Sequence, residues 1–130
     1  MVEKPNFTVM AFDIETTKEP LKFPDPDLDS VILISYVIDE ETFLIVNREI
    51  CSKDVKTFEF KPVKGIETTV TIFNEKDEEK CLRKFFDHIK ISKPLIITSY
   101  NGDFFDFPFI EKRAEKYGIS MEKEIGLSQE

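Results

Sequence analysis

Over residues 7–15 the side chains alternate with the two-residue period of a strand. Phe7, Val9, Ala11, Asp13 and Glu15 fall on one face, and Thr8, Met10, Phe12 and Ile14 on the other. A central strand is predicted. Residues 18–30 break the pattern with Pro20, Pro24 and Pro26 among charges, so an ordered loop is expected there. Residues 31–38 are almost continuously apolar, and after the acidic turn Asp39-Glu40-Glu41 the run resumes at 43–46. Two buried strands joined as a hairpin follow. Shorter strands are expected at 58–60 and 70–73, around a loop bearing Pro62 and Gly65. Asn74 is the expected cap of a helix with Glu75, Asp77 and Glu78 in its first turn. Cys81, Leu82, Phe85, Phe86 and Ile89 form its buried stripe, which ends before Pro94. A strand at 95–98, a loop at 100–107 and a second helix, opened by Pro108 and stopped by Gly118, complete the pattern. Residues 119–130 carry no clear signal.

A meander of antiparallel strands, then a helix crossing to a strand parallel to the first, then another helix, is α/β: a mixed sheet with flanking helices. No repeat or linker divides residues 1–130, so one domain is expected. Composition narrows the function. A net charge of −8 argues against holding DNA through a broad basic surface. It suits carboxylates gathered around divalent cations, which would supply the missing positive charge. No apolar run approaches the ~20 residues of a membrane span, so no membrane partner is expected. Cys51 and Cys81 have neither metal-site nor redox-motif spacing, which points to a reducing compartment.

The sharpest local feature is Asp13-Ile14-Glu15 at the end of a strand otherwise made of core residues. Two carboxylates two positions apart share a face, with Cα atoms roughly 6.5 Å apart, and can reach one metal ion or two adjacent ones. Unpaired they would repel and take up protons, unless a cation neutralised them. A strand end emerging into solvent would look the same. The second feature is the string 100–109, Tyr-Asn-Gly-Asp-Phe-Phe-Asp-Phe-Pro-Phe. It is a strand-to-helix loop with two acids, an amide and aromatics, which suits metal binding beside base stacking. Asp106 could equally be a helix cap and the phenylalanines core. His88 reads as a structural histidine beside the buried stripe. Lys18, Lys22, Arg48, Lys112 and Arg113 read as mostly solvated charges, with Lys18 and Lys22 near enough to the acidic pair to meet phosphates.

The stretch FDIETTKEPLKFP over residues 12–24 resembles the first exonuclease motif of the family-B DNA polymerases, and Asn101 with Phe105-Asp106 resembles the second. The resemblance runs through nearly the whole chain. It implies a ribonuclease H-like 3′→5′ exonuclease domain in which Asp13, Glu15 and Asp106 are the catalytic metal ligands. It implies two Mg²⁺ ions, for which Mn²⁺ can substitute, and contacts from Thr16, Pro24, Asn101 and Phe105 to the single-stranded 3′ end of primer DNA. The implied setting is proofreading in the nucleus, with the accessory subunits and the remainder of a polymerase catalytic subunit as partners. The family's third motif, a Tyr followed four positions later by Asp, is not found: Tyr36 leads to Glu40, Tyr100 to Phe104 and Tyr117 to Met121. Residues 1–130 are therefore expected to be the N-terminal part of that domain, nearly inactive alone. A catalytically inactive nuclease-like scaffold and an unrelated acidic interaction module are the competing readings.

Overall fold

The alternation at the start of the chain becomes strand β1 (Val9–Thr16) in the computed structural model, which describes residues 8–51, 70–99 and 105–126. Met10, Phe12 and Ile14 are buried on one face of β1, and Ala11, Asp13 and Glu15 lie on the other. The apolar runs become β2 (Val31–Ile38) and β3 (Glu41–Asn47), an antiparallel hairpin whose turn places Asp39 at φ 55°. Aspartate tolerates this left-handed conformation better than most residues, because its short polar side chain can bond locally. β4 (Val70–Glu75) pairs parallel with β3, and β5 (Ile96–Ser99) parallel with β1. Among the described residues the sheet order is β4-β3-β2-β1-β5.

Helices α1 (Glu78–Ser92), α2 (Asp106–Glu115) and α3 (Met121–Ile125) pack on the face that holds Met10 and Phe12. The Phe12 ring lies 5.4 Å from Phe85 of α1 and 4.9 Å from Phe107 of α2, so β1 is fastened to both helices by edge and tilted aromatic contacts. A mixed sheet with flanking helices in this order is a ribonuclease H-like arrangement.

The sequence expectations need four corrections. Asn74 is not the cap of α1. It continues β4 opposite Val46, and Asp77 caps the helix, its carboxylate accepting from the Lys80 amide at 2.9 Å. Helix α2 starts at Asp106, two residues before Pro108, since proline is tolerated anywhere in a first turn whose N–H groups lack helical acceptors. Residues 119–130 do contain a helix, the short α3, capped by Ser120 and closed by Gly126 at φ 75°. Arg113 is buried rather than solvated. The strand expected at 58–60 lies outside the described residues.

His88 packs among Tyr36, Phe43 and Phe73, and its Nδ1 shares a 2.6 Å hydrogen bond with the Tyr36 hydroxyl. Burial, with a smaller push from Lys84 that Glu41 opposes, lowers its pKa below the ordinary 6.5. Because the unfolded chain then takes up the proton first, the contribution to stability is complete above about pH 6.5 and is lost as pH falls through the folded value. His88 is the one histidine in the chain, so its NMR titration is unambiguous. The midpoint is expected below 6.5, and a midpoint at or above that value would contradict this packing.

Candidate active site

Asp13 and Glu15 sit next to each other on the sheet face that no described helix covers, opposite Ser35 and Leu33 of β2. The register slips between Glu15 and Thr16, where Thr16 pairs with Val31. The slip makes Ile32 of β2 the extra residue opposite the end of β1, and such irregularities in a ladder are frequent next to active sites. Asp13 is half-buried and Glu15 exposed, in a hollow also lined by Ala11, Leu33, Val37, Leu44 and Val70. Among the described residues neither carboxylate is in an ion pair. Neighbouring carboxylate oxygens on an apolar floor are the hard-oxygen donor chemistry that Mg²⁺ or Mn²⁺ prefers.

The loop that leaves β1 is ordered by its own polar side chains. Thr17 Oγ1 donates to Asp29 at 3.1 Å and accepts from the Ser30 amide at 3.0 Å. The other Asp29 oxygen accepts from the Asp25 amide at 2.7 Å, and the Thr17 amide donates to the Ser30 carbonyl at 2.9 Å. Pro24 lies half-buried within this closed loop, beside Phe23, which is 91% exposed. Lys22 is paired with Glu19 at the surface at 2.9 Å, and Lys18 is exposed.

Asp106 is 5% exposed, and the Ser99 hydroxyl donates to its Oδ2 at 3.3 Å. It is the first residue of α2 and not its cap. The cap position belongs to Phe105, which makes no side-chain capping bond. Phe105 is half-buried with its ring 5.2 Å from Phe109, and Asn101 lies outside the described residues. Ser99 is aligned with Phe12 across the parallel β1–β5 pair, and aligned residues point to the same face of a sheet. Asp106 is thus held from the helix-covered side, whereas Asp13 and Glu15 face the open side. The strand brings those two together, and among the described residues no group of three or more His, Cys, Asp or Glu lies close enough to hold a metal ion.

A second polar cluster was not foreseen. Glu78 of α1, 3% exposed, accepts from Arg113 Nε at 3.0 and 3.1 Å and forms an ion pair with its Nη2. It also accepts from the Tyr117 hydroxyl and, at 2.6 Å, from the Val31 amide. Arg113 further donates to the Pro26 carbonyl at 3.1 Å and to Ser30 Oγ at 3.2 Å. Burial works against the Arg113 charge, but the hydrogen bond and charge of Glu78, with smaller help from Tyr117, hold its pKa above the ordinary value. Tyr117 is pushed up to about 12 by burial first and by Glu78 second. The signal existed in the sequence: Glu78 continues the 81, 82, 85, 86, 89 stripe backwards, and Arg113 falls on the 109, 110, 114 stripe of α2.

With this geometry in place, comparison with known families is decisive: the family described as DNA polymerase family B, exonuclease domain, matches residues 1–129. The chain belongs to that family. Among its relatives, the DNA polymerase epsilon catalytic subunit of Dictyostelium discoideum is 53% identical over 126 residues, 97% of the chain and 5% of the relative. Those of Candida glabrata and Saccharomyces cerevisiae are 55% and 53% identical over 120 residues, 92% of the chain and 5% of each relative. The chain therefore spans about one twentieth of the length of these curated relatives.

Proposed function

We propose that this domain is the 3′→5′ proofreading exonuclease portion of a nuclear, epsilon-type polymerase catalytic subunit, hydrolysing the terminal phosphodiester of single-stranded primer ends. The observation that carries the reading is the adjacent Asp13 and Glu15 at the end of β1, in no ion pair with another described residue, in a chain matched along its length by the family. Asp13 and Glu15 would hold Mg²⁺, with Asp106 joining from the start of α2. The bound ions would supply an activated water and neutralise charge on the phosphate and the departing 3′ oxygen. Thr16 would hold the terminal nucleotide, Pro24 would wall the channel, and Asn101 and Phe105 would meet the strand. On this reading the third motif belongs to a longer chain, and the 130 residues alone turn over little substrate. The accessory subunits and DNA synthesis belong to that longer protein as well.

Mn²⁺ added to the ¹⁵N-labelled chain tests the metal assignment. Amide signals of Ile14, Glu15 and Thr16 are expected to broaden first, at substoichiometric Mn²⁺, and Asp13→Asn is expected to abolish the effect. Broadening centred instead on the acidic turn at Asp39 and Glu40, or on Asp25 and Asp27, would show that the ion prefers ordinary surface carboxylates. It would favour the scaffold reading, to which the absence of a three-carboxylate group among the described residues lends its one support.

A further inference from the structure

The buried cluster around Arg113 touches none of the candidate metal ligands, yet it joins α1, the α2 segment, the loop that leaves β1 and the start of β2. Burying an ion pair costs desolvation that its attraction barely offsets, so stability alone is a weak reason for one. Its geometry suggests a different reason. Residues 17–30 leave β1 directly after Glu15 and Thr16, and they bury little of themselves: Leu21, Phe23 and Leu28 are exposed, and the one buried residue is Asp29. Polar anchors must therefore fix the loop. Arg113 holds the Pro26 carbonyl and Ser30 Oγ, Lys116 Nζ donates to the Asp27 carbonyl at 2.8 Å, and Glu78 takes the Val31 amide where β2 begins. Arg113 and Lys116 are both carried by the α2 segment, and Asp106 is the first residue of α2. Asp106 and Arg113 are seven positions apart, two turns and about 10.5 Å along one helix face.

We propose that Glu78, Arg113 and Tyr117 are positioning residues of the exonuclease reaction, a role that rests on the function proposed above. They lock the loop that follows the acidic strand onto the helix that carries Asp106. α2 then presents Asp106 and the loop clamp as one rigid part, so the channel wall at Pro24 and the hydroxyl at Thr16 keep a fixed place relative to all three carboxylates. The planar fork of arginine is what permits this, because Nε and Nη2 engage Glu78 while Nη1 reaches the loop. A lysine could keep the charge pair with Glu78 but could not hold the loop as well.

The test uses the full-length catalytic subunit, with exonuclease kcat and KM measured on a single-stranded oligonucleotide in Mg²⁺ and DNA synthesis measured alongside. Arg113→Lys is expected to lower exonuclease kcat about 10- to 100-fold, the scale of a reacting group displaced by about 1 Å, with KM changed by less than about threefold. DNA synthesis should stay within about twofold. Tyr117→Phe, which removes one of several donors to Glu78 and should fold normally, is expected to lower exonuclease kcat about threefold. Arg113→Lys with unchanged exonuclease kcat, or with both activities lost in equal proportion, would reduce the cluster to a contact that merely holds the fold. Asp13→Ala separates the two levels of the argument: if it spares exonuclease activity the proposed function itself fails. If Asp13→Ala abolishes that activity while Arg113→Lys does not alter it, only the positioning role falls.

Discussion

Arg113→Ala is expected to lower the unfolding free energy of the chain by about 3–5 kcal/mol. Glu78 is 3% exposed and Arg113 7%, so removing the guanidinium leaves a carboxylate inside the protein without its counter-charge. The remaining donors, the Val31 amide and the Tyr117 hydroxyl, cannot neutralise it. The Pro26 carbonyl and Ser30 Oγ lose a partner in the same step. A double variant, Glu78→Gln with Arg113→Met, should be more stable than the sum of its parts, with a coupling energy of about 1–3 kcal/mol, because neither buried charge is then left alone. The surface pairs Lys22–Glu19 and Arg83–Glu79 provide the contrast, at 71%/63% and 46%/37% side-chain exposure. Alanine in place of either lysine or arginine there should change stability by less than about 1 kcal/mol. Urea denaturation of each variant measures all of this, and a loss below about 1 kcal/mol for Arg113→Ala would mean that water reaches the pair.

The elements that sequence made legible are those whose side chains repeat with a clear period. β1 and the buried stripe of α1 lie where alternation and helical spacing put them, because burial on one face leaves a periodic trace, and β2 fills the almost continuous apolar run. The parallel placement of β5 beside β1 followed from the connecting helix. Helix ends were less legible, since several residues can cap. Asn74, Asp77 and Asp106 all have capping chemistry, and the choice among them depended on where β4 stopped pairing and where α2 began to turn. Residues 121–125 are too few to show a period, so α3 was invisible except through its Ser120 and Gly126 ends. In the site, the shared face of Asp13 and Glu15 was plain from a two-residue spacing. The register slip between Glu15 and Thr16 was not, because it depends on the pairing partner. The Glu78–Arg113 pair joins residues 35 positions apart, and local pattern could mark each as facing inward without matching one to the other.

Asp13→Ala is expected to slow hydrolysis of a 3′ end by about 1,000-fold or more in the full-length catalytic subunit. Metal-held charge stabilisation is worth several kcal/mol, and each 1.36 kcal/mol is a factor of ten in rate. The same substitution should leave the fold almost untouched, within about 1 kcal/mol, because the Asp13 side chain stands half-buried on the sheet face that no described helix covers. That separation of rate from stability distinguishes a metal ligand from a strand end that simply emerges into solvent. The most direct measurement is single-turnover release of nucleoside monophosphate from a mismatched, single-stranded 3′ end, with and without Asp13→Ala, at saturating Mg²⁺. The expected result is rapid stepwise release by the unmutated enzyme and a loss of about three orders of magnitude in the variant, with DNA synthesis preserved. Release at similar rates by both would contradict the assignment of Asp13 and Glu15 as the metal-binding pair.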